Sequence, residues 1–165
     1  MTKFVLVGFP GAGKSTAGKV LARKMGLKFL DLDVELERYY HTSISAFLQE
    51  FGEEHFRKCE NEMLQKLLQE DNIVLATGGG TPCFHNAMQL INEKATSIYL
   101  SLSKKSLFIR LTQAKEKRPL IADLTQEELK EYIDKTLEIR EPIYRQAHII
   151  VKGENFDNKI KDFFC

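Results

Sequence analysis

Nine residues near the start, Gly8-Phe9-Pro10-Gly11-Ala12-Gly13-Lys14-Ser15-Thr16, fit the spacing G-x-x-x-x-G-K-[ST]. Glycines at this spacing let the backbone curl so that successive N–H groups point inward. A helix beginning at the end of the loop adds partial positive charge. The product is a cradle for phosphate groups, with Lys14 long enough to reach the β/γ-phosphates of a nucleoside triphosphate and the Ser15 hydroxyl able to ligate Mg²⁺. The plain alternative is a glycine-rich turn that only joins a strand to a helix. Asp31-Leu32-Asp33 supplies two carboxylates two positions apart, on the same side of an extended segment. One suits the shell of a metal ion and the other a substrate hydroxyl. Helix capping by Asp33 over Val34-Glu35-Leu36-Glu37 is an equal reading, and the roles are compatible.

Three further groups of residues have chemistry to offer. Arg57 and Glu60 lie at i, i+3, so the plain reading of Arg57 is a surface ion pair on a helix. Gly78-Gly79-Gly80 follow an apolar run and would let a ligand approach the backbone closely; a flexible connector is the bland counterpart. The stretch Ala114-Lys115-Glu116-Lys117-Arg118-Pro119-Leu120-Ile121-Ala122-Asp123 is charged and aperiodic. We place a lid at about 114–124, against the alternative of a solvated loop.

These residues need elements to hold them. Phe4-Val5-Leu6-Val7 reads as a buried strand, and Ala17, Val20, Leu21 and Met25 recur at helical spacing behind the loop. Gly26 is a C-cap candidate. Short strands are expected over Lys28-Phe29-Leu30, Asn72 to Ala76, Ala95 to Leu100 and Ala147 to Val151. Helices are expected from a Ser43 cap, broken at Phe51-Gly52-Glu53-Glu54 and resuming over about His55 to Gln69. Others are expected over Ala87 to Glu93, over Lys104 to Gln113, from Thr125 in a capping box with Glu128, and over Asn155 to Phe164. Five apolar strands alternating with helices predict an α/β fold, a three-layer α/β/α arrangement around a five-stranded parallel sheet. One domain over 1–165 is expected.

Composition narrows the function classes. Hydrophobic residues make up 43% of the 165, enough for a core. Lys+Arg 24 against Asp+Glu 23 leaves +1, which gives no global attraction to nucleic acid or an acidic membrane. Cys59, Cys83 and Cys165 are odd in number and far apart, which points to reduced thiols and a cytoplasmic location. No secretory leader pattern precedes the first strand, and no apolar run approaches the ~20 residues of a membrane span. His41, His55, Cys83 and His85 have no partner spacing for a metal site and are read as structural. No strand ends in a separate Walker B aspartate and no N-K-x-D base-recognition motif occurs, which leaves small-molecule phosphotransfer.

Taken together and in order, these motifs resemble shikimate kinase, within the nucleoside-monophosphate-kinase-like phosphate-loop enzymes. The resemblance rests on Gly8 to Thr16, Asp31-Leu32-Asp33, Phe51-Gly52-Glu53 with Phe56-Arg57 and Glu60, Gly78-Gly79-Gly80, Arg118-Pro119-Leu120, and Arg140 with Tyr144. It implies ATP and Mg²⁺ as cofactors and shikimate as acceptor, phosphorylated at its 3-hydroxyl in aromatic amino-acid biosynthesis. Gly11, Ala12, Gly13, Lys14, Ser15 and Thr16 would hold the phosphates, with Ser15 and Asp31 toward the metal. Asp33 would meet the acceptor hydroxyls, Arg57 and Arg140 would clamp the acceptor carboxylate, and Gly78 to Gly80 would lie against its ring. Arg118 would close over the phosphates, and Arg110 would lie near adenine. A planar guanidinium donates two parallel hydrogen bonds to a carboxylate, which agrees with that clamp. The sequence departs from the family at His41-Thr42, where a glycine is common, and at Ile121 and Ile143. A monomer with no nucleic-acid or membrane partner is expected. Two rivals remain: another small kinase, for gluconate or a nucleotide, and a non-catalytic nucleotide-binding module.

Overall fold

The computed structural model describes residues 1–114 and 121–164. Most of the expected lid, including Arg118, therefore lies outside the described residues. Five strands, β1 (Lys3–Val7), β2 (Lys28–Asp31), β3 (Ile73–Ala76), β4 (Thr96–Ser101) and β5 (Ile149–Lys152), form one sheet in the order β2-β3-β1-β4-β5. Every neighbouring pair is parallel. A strand buried on both faces must be apolar throughout, and β3 and the second half of β1 meet that demand. Val5, Leu6, Val7, Ile73, Val74 and Leu75 are all fully buried.

Seven α-helices surround the sheet among the described residues: α1 (Lys14–Met25), α2 (Leu32–Tyr40), α3 (Ile44–Leu67), α4 (Ala87–Lys94), α5 (Lys104–Ala114), α6 (Gln126–Tyr144) and α7 (Phe156–Phe164). The crossover through α1 leads from β1 toward the β2 edge, and the one through α4 leads from β3 back across β1 to β4. Right-handed crossovers in opposite directions put these helices on opposite faces. The loops after β1 and β3 thus diverge at adjacent strand ends, which makes the crevice where open α/β sheets bind ligands. The expected fold class matches this architecture.

Local signals place the helix ends. Gly26 is a left-handed C-cap (φ 67°), and Ser43 Oγ accepts from Ala46 N at 3.1 Å. Thr125 Oγ1 accepts from Glu128 N at 3.1 Å. The expected break at Gly52 is present, because this residue has φ 82° and ψ 169° within α3, and the helix resumes at Glu53, not His55. A side chain would be strained at that φ, so glycine is what allows α3 to turn there. The break lets the second half of α3 aim independently of the first, and that half carries Arg57 and Glu60.

One local expectation is corrected. Asp33 does not cap α2 and does not share an extended segment with Asp31. The strand ends at Asp31, which is itself the N-cap (φ −118°, ψ 120°). Its Oδ1 accepts from Asp33 N at 3.0 Å and Val34 N at 3.3 Å. Asp33 already lies in the first helical turn. Both acidic residues were competent caps; the one adjoining the last ladder residue has the extended backbone that a cap requires.

Candidate active site

A cleft of about 1100 Å³ opens at the C-terminal edge of β1, β2 and β3. Its donor end is the turn from β1 into α1. Gly11 and Gly13 have φ 84° and 91°, a conformation that side-chain-bearing residues rarely adopt and that turns the intervening amides inward. Gly13 is the N-cap of α1 and offers no side-chain acceptor, and the first turn holds no acidic residue. The first-turn N–H groups of α1 therefore face the cradle unneutralised, which suits an anion. Lys14 is buried, and its Nζ donates to the carbonyls of Gly8 (2.7 Å) and Phe9 (2.9 Å), which holds the ammonium under the loop. Gly11, Gly13, Lys14, Ser15 and Thr16 all line the cleft, while Ala12 is buried behind it.

Ser15 Oγ donates to Asp31 Oδ2 at 2.5 Å. One hydroxyl and one carboxylate, side by side at the phosphate cradle, form a hard-oxygen pair. Mg²⁺ suits that donor set, since it takes one or two protein oxygens and keeps water and phosphate oxygens as its other ligands. The residues present thus fit the ion.

Arg110 is placed differently from the expectation of an adenine neighbour alone. From α5 its Nε donates to the Gly11 carbonyl at 2.8 Å, and Nη1 lies 3.6 Å from Glu154. It also packs over Gly13, where an added Cβ would fall 2.6 Å from Nη2. Arg110 therefore braces the outer wall of the phosphate loop as well as lining the cleft.

At the other end of the cleft stand Asp33, Glu37, Arg57, Glu60, Gly78 to Gly80 and Arg140. Asp33 is half-buried at the base. Burial, reinforced by the negative charges of Asp31, Glu60 and Glu37 and opposed by Lys14, pushes its pKa up to about 6. Such a carboxylate is ionised at neutral pH and is more basic than usual.

Arg57 and Glu60 do pair, at 3.0 Å, but not on the surface: their side chains are 13% and 2% exposed. Glu53 adds a second contact at 3.4 Å, and the Phe84 ring lies 4.2 Å below the guanidinium carbon. The other Glu60 oxygen accepts from Thr81 Oγ1 (2.9 Å), and the Thr81 hydroxyl oxygen in turn accepts from Gly78 N (2.9 Å). Glu60 thus ties α3 to the glycine turn. No local pattern marks this role, since the spacing revealed only the pair with Arg57.

The three glycines provide close approach chiefly within the protein. A Cβ on Gly80 would lie 2.5 Å from Arg57 Nη2, and one on Gly79 would lie 2.4 Å from Pro10 Cδ. The glycine turn therefore rests directly on the phosphate loop. A Gly79→Ala substitution should cost about 1–3 kcal/mol through this overlap, seen as a lower denaturation midpoint. An unchanged midpoint would mean that the two loops do not bear on each other.

A parallel α/β sheet, a phosphate loop at its switch point, and a wall of basic and acidic side chains across the cleft define a P-loop phosphotransferase. The shikimate kinase family profile matches residues 10–163. A shikimate kinase of Phocaeicola vulgatus is 39% identical over 159 residues, covering 96% of this chain and 91% of that protein. The crystal structure of shikimate kinase from Bacteroides thetaiotaomicron superposes with a TM-score of 0.93 at 34% identity, covering 98% and 96% of the two chains. Shikimate kinase from Acinetobacter baumannii in complex with shikimate gives 0.89 at 30% identity, covering 99% and 90%. The chain belongs to the shikimate kinase family.

Proposed function

We propose that the protein transfers the γ-phosphoryl group of ATP to the 3-hydroxyl of shikimate, giving shikimate 3-phosphate and ADP, a step of aromatic amino-acid biosynthesis. The observation that carries this reading is the position of Asp33 in one cleft with the phosphate loop and the Arg57/Arg140 pair. Gly11 to Thr16 bind the triphosphate, with Lys14 neutralising charge on the transferred group. Arg57 and Arg140 take the acceptor carboxylate, and the turn Gly78 to Gly80 supports its ring. That fixes the ring so that a hydroxyl meets Asp33, whose carboxylate orients it and accepts its proton as the oxygen attacks phosphorus. Phosphoryl transfer needs alignment and charge neutralisation more than covalent help, and these groups supply both. Ser15 and Asp31 are the residues that would hold Mg²⁺, which would supply further positive charge at the phosphates. The resemblance that assigns closure over the phosphates to Arg118 also supports a lid at about 114–124, which would exclude water from the reaction.

Near-neutral net charge supports a partner list without nucleic acid or an acidic membrane surface. Among the described residues no helix is long and apolar enough to cross a membrane. The three scattered cysteines support a reducing, cytoplasmic setting.

The deciding assay supplies ATP and Mg²⁺ with shikimate, gluconate or AMP. Shikimate should be consumed at least about a hundredfold faster, the discrimination expected when a site's charged groups are left unpaired by the wrong acceptor. Equal rates, or turnover of AMP alone, would reject the acceptor assignment.

A further inference from the structure

The centroid of the Phe84 ring lies 4.2 Å from the guanidinium carbon of Arg57, well inside the roughly 6 Å over which a cation is drawn to an aromatic face. Arg57 lines the cleft, and among the described residues Phe84 does not. The ring thus meets the guanidinium and not the space that an acceptor would fill. We propose that Phe84 is a positioning residue for Arg57, holding the guanidinium beside the glycine turn by the face of its ring.

Two kinds of partner hold this arginine. Glu60 meets Nη1 at 3.0 Å and Glu53 meets Nη2 at 3.4 Å, and both offset its charge. A ring face attracts the cation through its quadrupole alone. It uses none of the five N–H donors and brings no negative charge, so the rest of the fork stays available to an anion. The attraction is stronger here than at a wet surface, because the Arg57 side chain is largely buried. Ordering an arginine in advance also removes entropy that binding would otherwise have to overcome. The ring is itself fixed by the backbone on either side. Before it, Cys83 N donates to the Gly80 carbonyl at 3.0 Å and closes the single 3₁₀ turn Thr81–Cys83. After it, Ala87 N donates to the Phe84 carbonyl at 3.0 Å across His85 and Asn86, both left-handed at φ 52° and 55°. Side-chain-bearing residues seldom adopt that conformation, and two in succession make a tight turn from Phe84 into α4. Gly80 and Phe84 therefore reach Arg57 from one short, hydrogen-bonded segment, Gly80 so closely that an added Cβ would overlap the guanidinium. Phe56 offers a second ring at 5.3 Å, but that ring also packs edge-on against Phe47 in the core. Phe84 is the nearer of the two.

The inference rests on the acceptor role proposed for Arg57. Phe84→Leu keeps apolar bulk and removes the aromatic face. The KM for shikimate should rise about tenfold, the scale of one desolvated cation–π contact, while kcat and the KM for ATP stay within about twofold. A shikimate analogue with a hydroxymethyl group in place of its carboxylate should bind wild type and Phe84→Leu alike. Replacing Phe84 by 4-fluoro-, 3,5-difluoro- and 3,4,5-trifluorophenylalanine keeps the outline of the ring and withdraws its negative face in steps, so the shikimate KM should climb with each step. An unchanged shikimate KM in Phe84→Leu overturns the inference, as does a fall in kcat and Tm at constant KM, which is what a purely structural role gives. A binding defect of equal size with the hydroxymethyl analogue overturns it too. A flat fluorine series overturns it whatever Phe84→Leu does, because the ring then acts by bulk alone. Should Phe84→Leu not fold, the fluorine series decides the matter by itself. A wild type that turns over no shikimate removes the proposed function and this inference together, whereas normal wild-type turnover with any of the contrary variant results removes this inference alone.

Discussion

Asp33→Asn should lower shikimate turnover by about two to four powers of ten, the range typical of losing a positioned base, while making the nucleotide-free and metal-free protein harder to melt. Both effects have one origin. The Asp33 carboxyl is pushed up to about 6 by burial and by three neighbouring carboxylates. Between its ordinary value of 3.8 and that raised value, the folded chain binds more protons than the unfolded chain. Stability therefore falls as pH rises through this window, and the cost is complete above about pH 6. At one pKa unit per 1.36 kcal/mol, the cost at neutral pH is on the order of 2 kcal/mol for a half-buried group that the cleft still wets. Asn carries no charge and escapes it. In a chain of this size Tm should rise by roughly 5 °C at about pH 7.5, and the gain should vanish at about pH 4. Thermal melts of both proteins at the two pH values decide the stability half, and initial rates decide the other. A Tm difference that does not depend on pH would remove the charge argument; turnover within a few-fold of wild type would remove Asp33 from the chemistry. A site group that costs stability and returns activity is the expected exchange where charge is preorganised for a reaction.

The donor half of the site was legible because its information is local. A strand, a glycine-rich turn and a helix follow one another within Lys3 to Met25, and Gly13, Lys14 and Ser15 lie where that succession puts them. Strand and helix limits elsewhere fall within a residue or two of the apolar runs, for the same reason. The acceptor half was legible as a list of residues and not as a mechanism. Arg57 and Glu60 announced a pair by their spacing, yet whether the pair is solvated or buried is decided by Thr81 and the glycine turn, some twenty positions away. The three glycines suggested room for a ligand. Two of them instead admit Pro10 and Arg57, contacts between residues 69 and 23 positions apart that no window of sequence encodes. The resemblance alone places Arg110 near adenine, and no local pattern shows that the fold lays it across Gly11. The cap of α2 fell to Asp31 and not to Asp33 because two candidates of equal propensity, two positions apart, were separated only by where the ladder stopped.

The same distinction between listing and mechanism separates Arg57 and Arg140, the two arginines proposed to take the acceptor carboxylate. Arg57→Ala should fail in two ways, and Arg140→Ala in one. Removing Arg57 leaves Glu60, 2% exposed, without its cation. A buried ion pair broken from one side costs about 3–5 kcal/mol, because the surviving charge stays desolvated. At 2–4 °C per kcal/mol in a chain of this size, Tm should drop by roughly 10 °C, alongside a loss of shikimate binding. Arg140 is only half-buried, and among the described residues it leaves no stranded carboxylate behind, so its removal should weaken shikimate binding by a similar factor with Tm nearly unchanged. The double variant Arg57→Ala/Glu60→Gln separates the two losses. Neutralising the stranded acid should return most of the lost Tm, since the Gln amide can still meet Thr81, but shikimate binding should stay lost. Melts and equilibrium titrations on the three variants measure both quantities. Equal Tm losses for Arg57→Ala and Arg140→Ala, or recovery of binding in the double variant, would show that Glu60 does not hold Arg57 in the way its geometry indicates.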